Sequence, residues 1–361
     1  MKFLDRFISS IISPPAFGLD ISDFTVKFIK LAKRAGGEMA ISDFGEVKLS
    51  ENVVDGGEIK KESELAALLK NNLKTDDGRH FHERFVVATL PEEKSFVHLI
   101  QLPKMKEEDA GKAARWELEG TVPLPIEELY FDYAILPSKE AIDHLDLLVT
   151  AFPKTLIESY VRVLEGAGFV PVALELESQA ISRSLWSGEE GAFIFVDLGA
   201  TRTSSMIVAN GSLIFTLSIP LGGRDFDRVI SERLAVSIDQ ARDVKIKTGL
   251  AKEKDGASRE ALIPIVSALA DELKKQIAFY REHSAHRHGM PADISAIVLS
   301  GGDANLTGLT NHLSFTLGKE VKLGNPLSSL LRQKKFVPPF PKNKSLKYTT
   351  AIGSALRGAG L

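Results

Sequence analysis

Apolar positions run or alternate through Phe17–Ile21, Thr25–Ala32 and Met39–Leu49, which predicts three strands, with Gly36-Gly37 turning the chain before the third. The spacing then changes to threes and fours. Leu65, Leu68, Leu69 and Leu73 line one side of a predicted helix over Glu62–Leu73. Arg84–Leu90 is a short buried-type strand that stops at Pro91. Beyond it the pattern predicts a strand at Phe96–Leu102, a helix at Glu107–Gly120 and strands at Tyr130–Leu136 and Asp146–Phe152. Helices at Thr155–Gly166 and Leu176–Leu185 follow. The stretch from Phe96 to Gly166 reads as a compact α+β module of its own.

A break comes at Ser187-Gly-Glu-Glu-Gly191, and after it the opening pattern recurs. Ala192–Asp197 is a strand, Leu198–Thr201 a turn and Thr203–Ala209 a second strand. Asn210-Gly211, a strong hairpin signal between apolar runs, leads into a third strand at Ser212–Pro220. Gly222–Ile238 and Ala261–His283 read as helices, joined by a charged connection that includes Gly249–Ser258. Ala296–Ser300 is a last buried strand running into Gly301-Gly302, and Thr349–Arg357 is a closing helix beyond Pro338, Pro339 and Pro341. Phe17-Gly-Leu-Asp20 and Phe195-Val-Asp197 each end a strand on aspartate and enter a turn and a second strand. Two hairpin-led halves with acids at matching tips predict related domains facing across a cleft.

Length and composition narrow the function classes. A chain of 361 residues is long enough for two or more domains. A net charge of −3 gives no overall pull toward nucleic acid. The chain has no cysteine, which excludes disulfides, thiolate catalysis and cysteine-ligated metal, and fits a reducing compartment. No apolar run approaches the length of a membrane span. In the first thirteen residues Phe3, Leu4, Phe7, Ile8, Ile11 and Ile12 share one helical face, stopped by Pro14-Pro15. That segment is expected to pack on protein, with an interfacial membrane helix as the other reading.

The candidate chemistry sits at three corners. At the first hairpin tip, Asp20 ends a strand and Ser22, Asp23 and Phe24 make the turn, with Lys27 beyond. A turn that wraps phosphate favours glycine, yet that place holds Ser22; a left-handed backbone there would cost about 1–2 kcal/mol. At the second tip, Gly199 allows close backbone approach, while Thr201, Thr203 and Ser204 supply hydroxyls. Asp20 and Asp197 are candidates to hold magnesium through its water shell. The third corner, Ser300-Gly-Gly-Asp303, runs from strand toward helix and offers backbone N–H groups.

Those three stretches, in order, resemble the first phosphate loop, second phosphate loop and adenosine motif of the actin-like ATPase superfamily. Thr350-Ala-Ile-Gly-Ser-Ala-Leu356 looks like one of its connecting helices and Glu175-Leu-Glu-Ser-Gln-Ala180 like the other. Within the superfamily, Trp116-Glu-Leu-Glu-Gly-Thr-Val-Pro-Leu-Pro-Ile-Glu-Glu-Leu-Tyr-Phe-Asp-Tyr133 resembles the PilM family of type IV pilus assembly proteins, related to FtsA. Phe152–Tyr160 and Ser218–Asp225 do so as well.

The resemblance implies an α/β fold of two ribonuclease-H-like halves around a nucleotide cleft, with an inserted α+β subdomain of SHS2 type, termed 1C. The implied layout is an N-terminal helix over 1–15, subdomain 1A over 16–93 and 171–190, 1C over 94–170, the second half over 191–347, and a closing helix over 348–361. It implies ATP and magnesium in the cleft, with Asp20, Ser22, Lys27, Asp197, Gly199, Thr201, Thr203, Lys245, Gly301, Gly302 and Asp303 as binding residues. Glu177 would stand near the attacking water or the metal. Lys245 matches the lysine that flanks adenosine in relatives, and Arg242 stands where an acid is common. Turnover is expected to be weak or absent.

The implied partner is a PilN-like inner-membrane protein whose cytoplasmic N-terminal peptide lies in the 1A/1C groove. The chain would then be cytoplasmic, peripheral to the inner membrane and capable of self-association. A scaffold that binds its partner without nucleotide is the main alternative. A phosphotransferase of the sugar-kinase branch is another, and the Trp116 segment argues against it. His283, His286 and His288 read as a solvated helix end, and Lys334, Lys335, Lys342, Lys344 and Lys347 as a solvated face.

Overall fold

The computed structural model describes residues 14–34, 38–136, 144–251, 256–284, 290–331 and 337–361. The N-terminal helix, the Gly36-Gly37 turn, His286, His288, Lys334 and Lys335 lie outside the described residues.

Two five-stranded sheets repeat one topology. The first comprises β1 (Phe17–Ile21), β2 (Thr25–Lys33), β3 (Met39–Lys48), β6 (Phe85–Leu90) and β10 (Val170–Leu176), in the order β10-β6-β1-β2-β3. A small ribbon, β4 (Val54–Asp55) with β5 (Glu58–Ile59), and helix α1 (Glu62–Asn72) lie between β3 and β6. The second sheet comprises β11 (Ala192–Leu198), β12 (Thr203–Ala209), β13 (Ser212–Ile219), β14 (Ile294–Ser300) and β15 (Glu320–Leu323), in the order β13-β12-β11-β14-β15. In each, the first three strands form an antiparallel meander and the last two add in parallel. Strand β1 is buried along its whole length because both faces of the sheet are covered there.

Between β6 and β10 the chain builds a separate antiparallel sheet, order β7-β9-β8, from β7 (Phe96–Pro103), β8 (Leu129–Ile135) and β9 (His144–Pro153). Helix α2 (Glu107–Thr121) covers it, burying Ala110, Ala114 and Leu118 against Leu102, Leu147 and Val149. Helix α3 (Lys154–Gly166) then returns to the first half, where Tyr160 and Val163 join the core around Phe17 and Phe28.

The halves are joined by two helices in close contact, α4 (Glu177–Leu185) and the closing helix. The second half adds α5 (Gly223–Leu234), α6 (Ile238–Lys247), α7 (Gly256–Ser284) and α8 (Leu309–Leu317) over one face of its sheet. Two short helices, α9 (Ser328–Leu331) and α10 (Lys342–Ser345), precede the closing helix α11 (Thr349–Gly358). Gly353 makes the α4–α11 contact possible: a Cβ there would lie 1.8 Å from the Ala180 carbonyl oxygen.

Several elements differ from the sequence expectation. Val170–Leu176 is a strand, although Pro171 weakens its pattern; it is tolerated because β10 is an edge strand with a register shift at Pro171. The helix expected over Gly222–Ile238 is broken, since Ala235 turns left-handed at φ 52°. Ser237 then caps α6, with reciprocal bonds to Gln240 at 3.3 and 3.0 Å. The four residues of β15 are too few to show a period.

Candidate functional site

The two hairpin tips meet. Asp20 and Asp197 line one cleft between the halves, together with Gly301 and Gly302 from the turn after β14, a space of ≈ 1050 Å³ including its open mouth. In each hairpin the second residue after the aspartate donates its amide to a carbonyl three residues on. Ser22 N reaches Thr25 O at 2.9 Å, and Gly199 N reaches Arg202 O at 3.0 Å. Ser22 is therefore the structural counterpart of Gly199.

The strain expected at Ser22 does not arise. Among the described non-glycine residues only Asn52, Asn210 and Ala235 have positive φ, and Gly199 does not have one either. The Ser22 hydroxyl reinforces the turn instead, donating to Thr25 O at 2.9 Å and lying 3.1 Å from Thr25 Oγ1.

Charge in the cleft is lopsided. Seven acids line it (Asp20, Asp23, Glu46, Glu93, Glu177, Asp197 and Asp303) against Lys27, Arg202 and Lys347. Lys27 stands across the strand pair from Asp20, with its ammonium at 3.4 Å. Asp197 accepts from Ser300 Oγ at 2.8 Å, yet burial, with Asp20 nearby, pushes its carboxyl up to about 6. Burial first, then Glu93, Asp20, Glu92 and Asp197, hold Glu177 well above the ordinary carboxylate range. Glu177 opens α4, and the next amide, Ser178 N, donates to buried Glu92 at 3.2 Å.

Carboxyls in this condition lack compensating positive charge, which suits a divalent cation. Among the described residues no group of three or more His, Cys, Asp or Glu side chains converges as a ready inner shell. Asp20 and Asp197 are the side chains that would hold magnesium through its water shell, since that ion keeps several waters. Glycine is required at 301 by the chain's own backbone, and not at 302. Gly301 adopts φ 88° where a Cβ would lie 2.3 Å from Leu198 O, and a Cβ on Gly302 would meet only Lys347 Cβ, at 3.9 Å.

Two of the expected binding residues do not face this space. Thr203 is buried and donates to Leu221 O at 2.7 Å, because alternation along β12 turns it away while Ser204 lines the cleft. Lys245 lies behind the wall, its ammonium 2.7 Å from both Asp227 and Asp303 and donating to Gly223 O at 3.1 Å. Arg242 stands 3.4 Å from Asp227 and 3.1 Å from Asp239. Asp303 therefore reaches the cleft as one end of a buried ion pair.

Sequence reasoning missed Asp23, Glu46, Glu93, Arg202 and Lys347 as lining residues. Arg202 extends from the second tip to the first half, pairing with Asp23 and Glu93. Lys347 pairs with Glu46, and Lys344 with Asp76 at 3.3 Å, so these two lysines tie the C-terminal segment to the first half. His283 stacks on Phe279 and approaches its carbonyl at 2.8 Å, a helix-end contact.

A second space opens between the first half and the β7-β9-β8 module. The exposed edges of β8 and β10 flank a groove lined by Tyr130, Phe131, Leu148, Phe152, Ile157 and Leu174, with Glu175, Leu176, Gln179 and Arg357 at its end. Arg183 and Arg357 fix Glu175 at 2.8 and 2.9 Å. The β10–α4 junction thus borders both spaces: Glu175, Leu176 and Gln179 face the groove and Glu177 the cleft.

A family model described as type IV pilus assembly protein PilM matches residues 18–359. The chain belongs to the PilM family. It is similar to a solved PilM-PilN type IV pilus biogenesis complex, with a TM-score of 0.79, 25% identity and coverage of 96% of this chain and 99% of that one. MreB5 of Spiroplasma citri bound to AMPPNP matches with a TM-score of 0.55 and 13% identity over 95% of this chain and 96% of that one. That likeness concerns the fold alone, which is actin-like. The cell division protein FtsA of Enterococcus hirae is 28% identical over 200 residues, 51% of this chain and 45% of that protein. FtsA of Bacillus subtilis strain 168 is 23% identical over 193 residues, 48% of this chain and 43% of that protein. The chain thus spans about half the length of the curated relatives it matches. Among the described residues of this PilM-family chain, no helix is long and apolar enough to cross a membrane.

Proposed function

We propose that this chain is an ATP-binding adaptor of type IV pilus assembly. Mg-ATP would bridge the two halves, and the β8/β10 groove would take the cytoplasmic N-terminal peptide of a PilN-like inner-membrane protein, which keeps the chain peripheral to that membrane. The observation that carries the nucleotide reading is the meeting of both acid-tipped hairpins and the Gly301-Gly302 turn in one cleft. The peptide reading is supported by a groove with an apolar floor between two strand edges that pair with no further strand among the described residues, which suits an extended segment. Glu177 lines the cleft, where it could act on water, and burial with its acidic neighbours raises its carboxyl well above the ordinary range.

Ligand at 100 times its dissociation constant stabilises the folded state by about 2.7 kcal/mol. Millimolar Mg-ATP is expected to raise the melting temperature by several degrees, and Asp197→Ala to remove that shift. No shift in the unsubstituted protein would leave a scaffold that binds its partner without nucleotide. A synthetic PilN-like N-terminal peptide should bind this chain, and Ile157→Glu in the groove floor should abolish that binding. Unchanged affinity in the variant would place the peptide elsewhere.

A further inference from the structure

Side chains of the two halves bridge the cleft at the hairpin tips. Thr201 donates to Asp23 Oδ2 at 2.9 Å, and Arg202 Nη2 stands 3.5 Å from the same oxygen. The other terminal nitrogen of Arg202 pairs with Glu93 Oε1. Thr201 and Arg202 belong to the second half, Asp23 and Glu93 to the first. Asp23 is firmly placed, since Gly57 N donates to its other oxygen at 3.1 Å and the buried Tyr160 hydroxyl holds Gly57 O at 2.9 Å. Nearby, the Arg224 guanidinium of α5 lies 4.3 Å from the centre of the Phe24 ring, a further contact with the first hairpin.

We propose that Arg202 is the phosphate-recognising side chain of the cleft, and that Asp23 competes with phosphate for it, so that nucleotide binds by exchanging carboxylate for phosphate at Arg202. This rests on the nucleotide reading given above. Carboxylate and phosphate present the same kind of target to a guanidinium fork, so the exchange conserves both charge pairing and hydrogen bonding at the arginine. The other two cations of the cleft are committed elsewhere, Lys27 to Asp20 and Lys347 to Glu46. Asp23 is the partner that phosphate displaces, because its contact with Arg202 is long, at 3.5 Å, and the same oxygen already accepts from Thr201. The cost of separating Arg202 from Asp23 is charged to nucleotide affinity.

The test is titration calorimetry on the full chain with Mg-ATP, magnesium pyrophosphate and adenosine. Asp23→Asn keeps the shape and removes the competing charge. It should tighten Mg-ATP and pyrophosphate by about fivefold, a change worth about 1 kcal/mol, and leave adenosine within twofold. Arg202→Gln should weaken both phosphate ligands by about tenfold or more, again sparing adenosine. In the double variant the gain from Asp23→Asn should vanish, because its effect acts through Arg202. Arg202→Lys, which keeps charge without the fork, should fall between.

Weaker or unchanged Mg-ATP binding in Asp23→Asn overturns the competition. Equal losses for ATP and adenosine in Arg202→Gln overturn the assignment of Arg202 to phosphate. Both results presuppose binding by the unsubstituted chain. Absence of any binding there overturns the nucleotide reading, and this inference with it.

Discussion

Lys245→Met offers a quantitative test of how the second half is held together. Its ammonium lies 2.7 Å from Asp227 and from Asp303 and donates to Gly223 O, with only 7% of the lysine side chain exposed. Methionine keeps the length of the side chain and removes the charge. Breaking a buried pair by deleting one partner costs about 3–5 kcal/mol. Arg242 still stands 3.4 Å from Asp227, so the lower end applies, about 3 kcal/mol. With an unfolding entropy of about 2.1 cal/mol/K per residue over 361 residues, that is a fall of about 4 °C in melting temperature, and about twice as much if the second half melts alone.

The loss should depend on pH, and its sign follows from Asp303. Burial raises the Asp303 carboxyl and Lys245 pulls it back down. Without the lysine its folded pKa rises further above the unfolded value. The penalty for ionised Asp303 is then present in full above the folded pKa and fades as pH falls toward the unfolded one. Scanning calorimetry of both proteins between pH 8 and pH 4.5 measures this directly. A loss below 1 °C at pH 8, or a larger loss at pH 4.5 than at pH 8, would refute the reasoning.

Three further outcomes are expected. Gly353→Ala puts a methyl 1.8 Å from the Ala180 carbonyl oxygen between two helix backbones; denaturant titration should show a loss of about 3 kcal/mol or more, and a loss below 1 kcal/mol would mean the helices separate easily. Ser22→Gly relieves no strain and removes only the hydroxyl bonds to Thr25, so it should cost about 0.5–1 kcal/mol and leave Mg-ATP affinity no better; a gain in either would contradict the geometry. Asp197→Asn removes a carboxyl whose pKa is raised to about 6 from 3.8. It should stabilise the ligand-free chain by up to about 3 kcal/mol at pH 8, with the gain fading to nothing as pH falls from 6 to below 4; a gain independent of pH would refute it.

What the sequence shows and what it hides divide along physical lines. The β1–β2 and β11–β12 hairpins, the Gly301-Gly302 corner and the α2 module were legible, because each depends on a local period or on a turn residue. Val170–Leu176 was not, since its pairing is made by β6, and Pro171 masks the local pattern. The break at Ala235 was hidden for a similar reason: alanine favours helix, and the turn is compelled by the Ser237 cap and the packing beyond it. Within the site, the two aspartates and the glycines could be found from their strand ends. Arg202 with Asp23 and Glu93 could not, because their meaning lies in a contact between residues far apart in the chain, and no local pattern marks it. Lys245 was assigned to the cleft on resemblance and Thr203 on its hydroxyl at the second tip; one is held by buried acids and the other turned away by strand alternation.

The junction of β10 and α4 carries a thermodynamic consequence of its own. A segment of five residues, Glu175 to Gln179, forms part of the wall of both the cleft and the groove. Two ligands that bear on one rigid segment share its free energy, and such coupling is reciprocal. Whatever factor a nucleotide imposes on affinity for a peptide in the groove, the peptide imposes on the nucleotide. Occupancy of the groove would then be readable from nucleotide affinity alone, with the membrane partner acting as an effector of the cleft as much as the cleft acts on it.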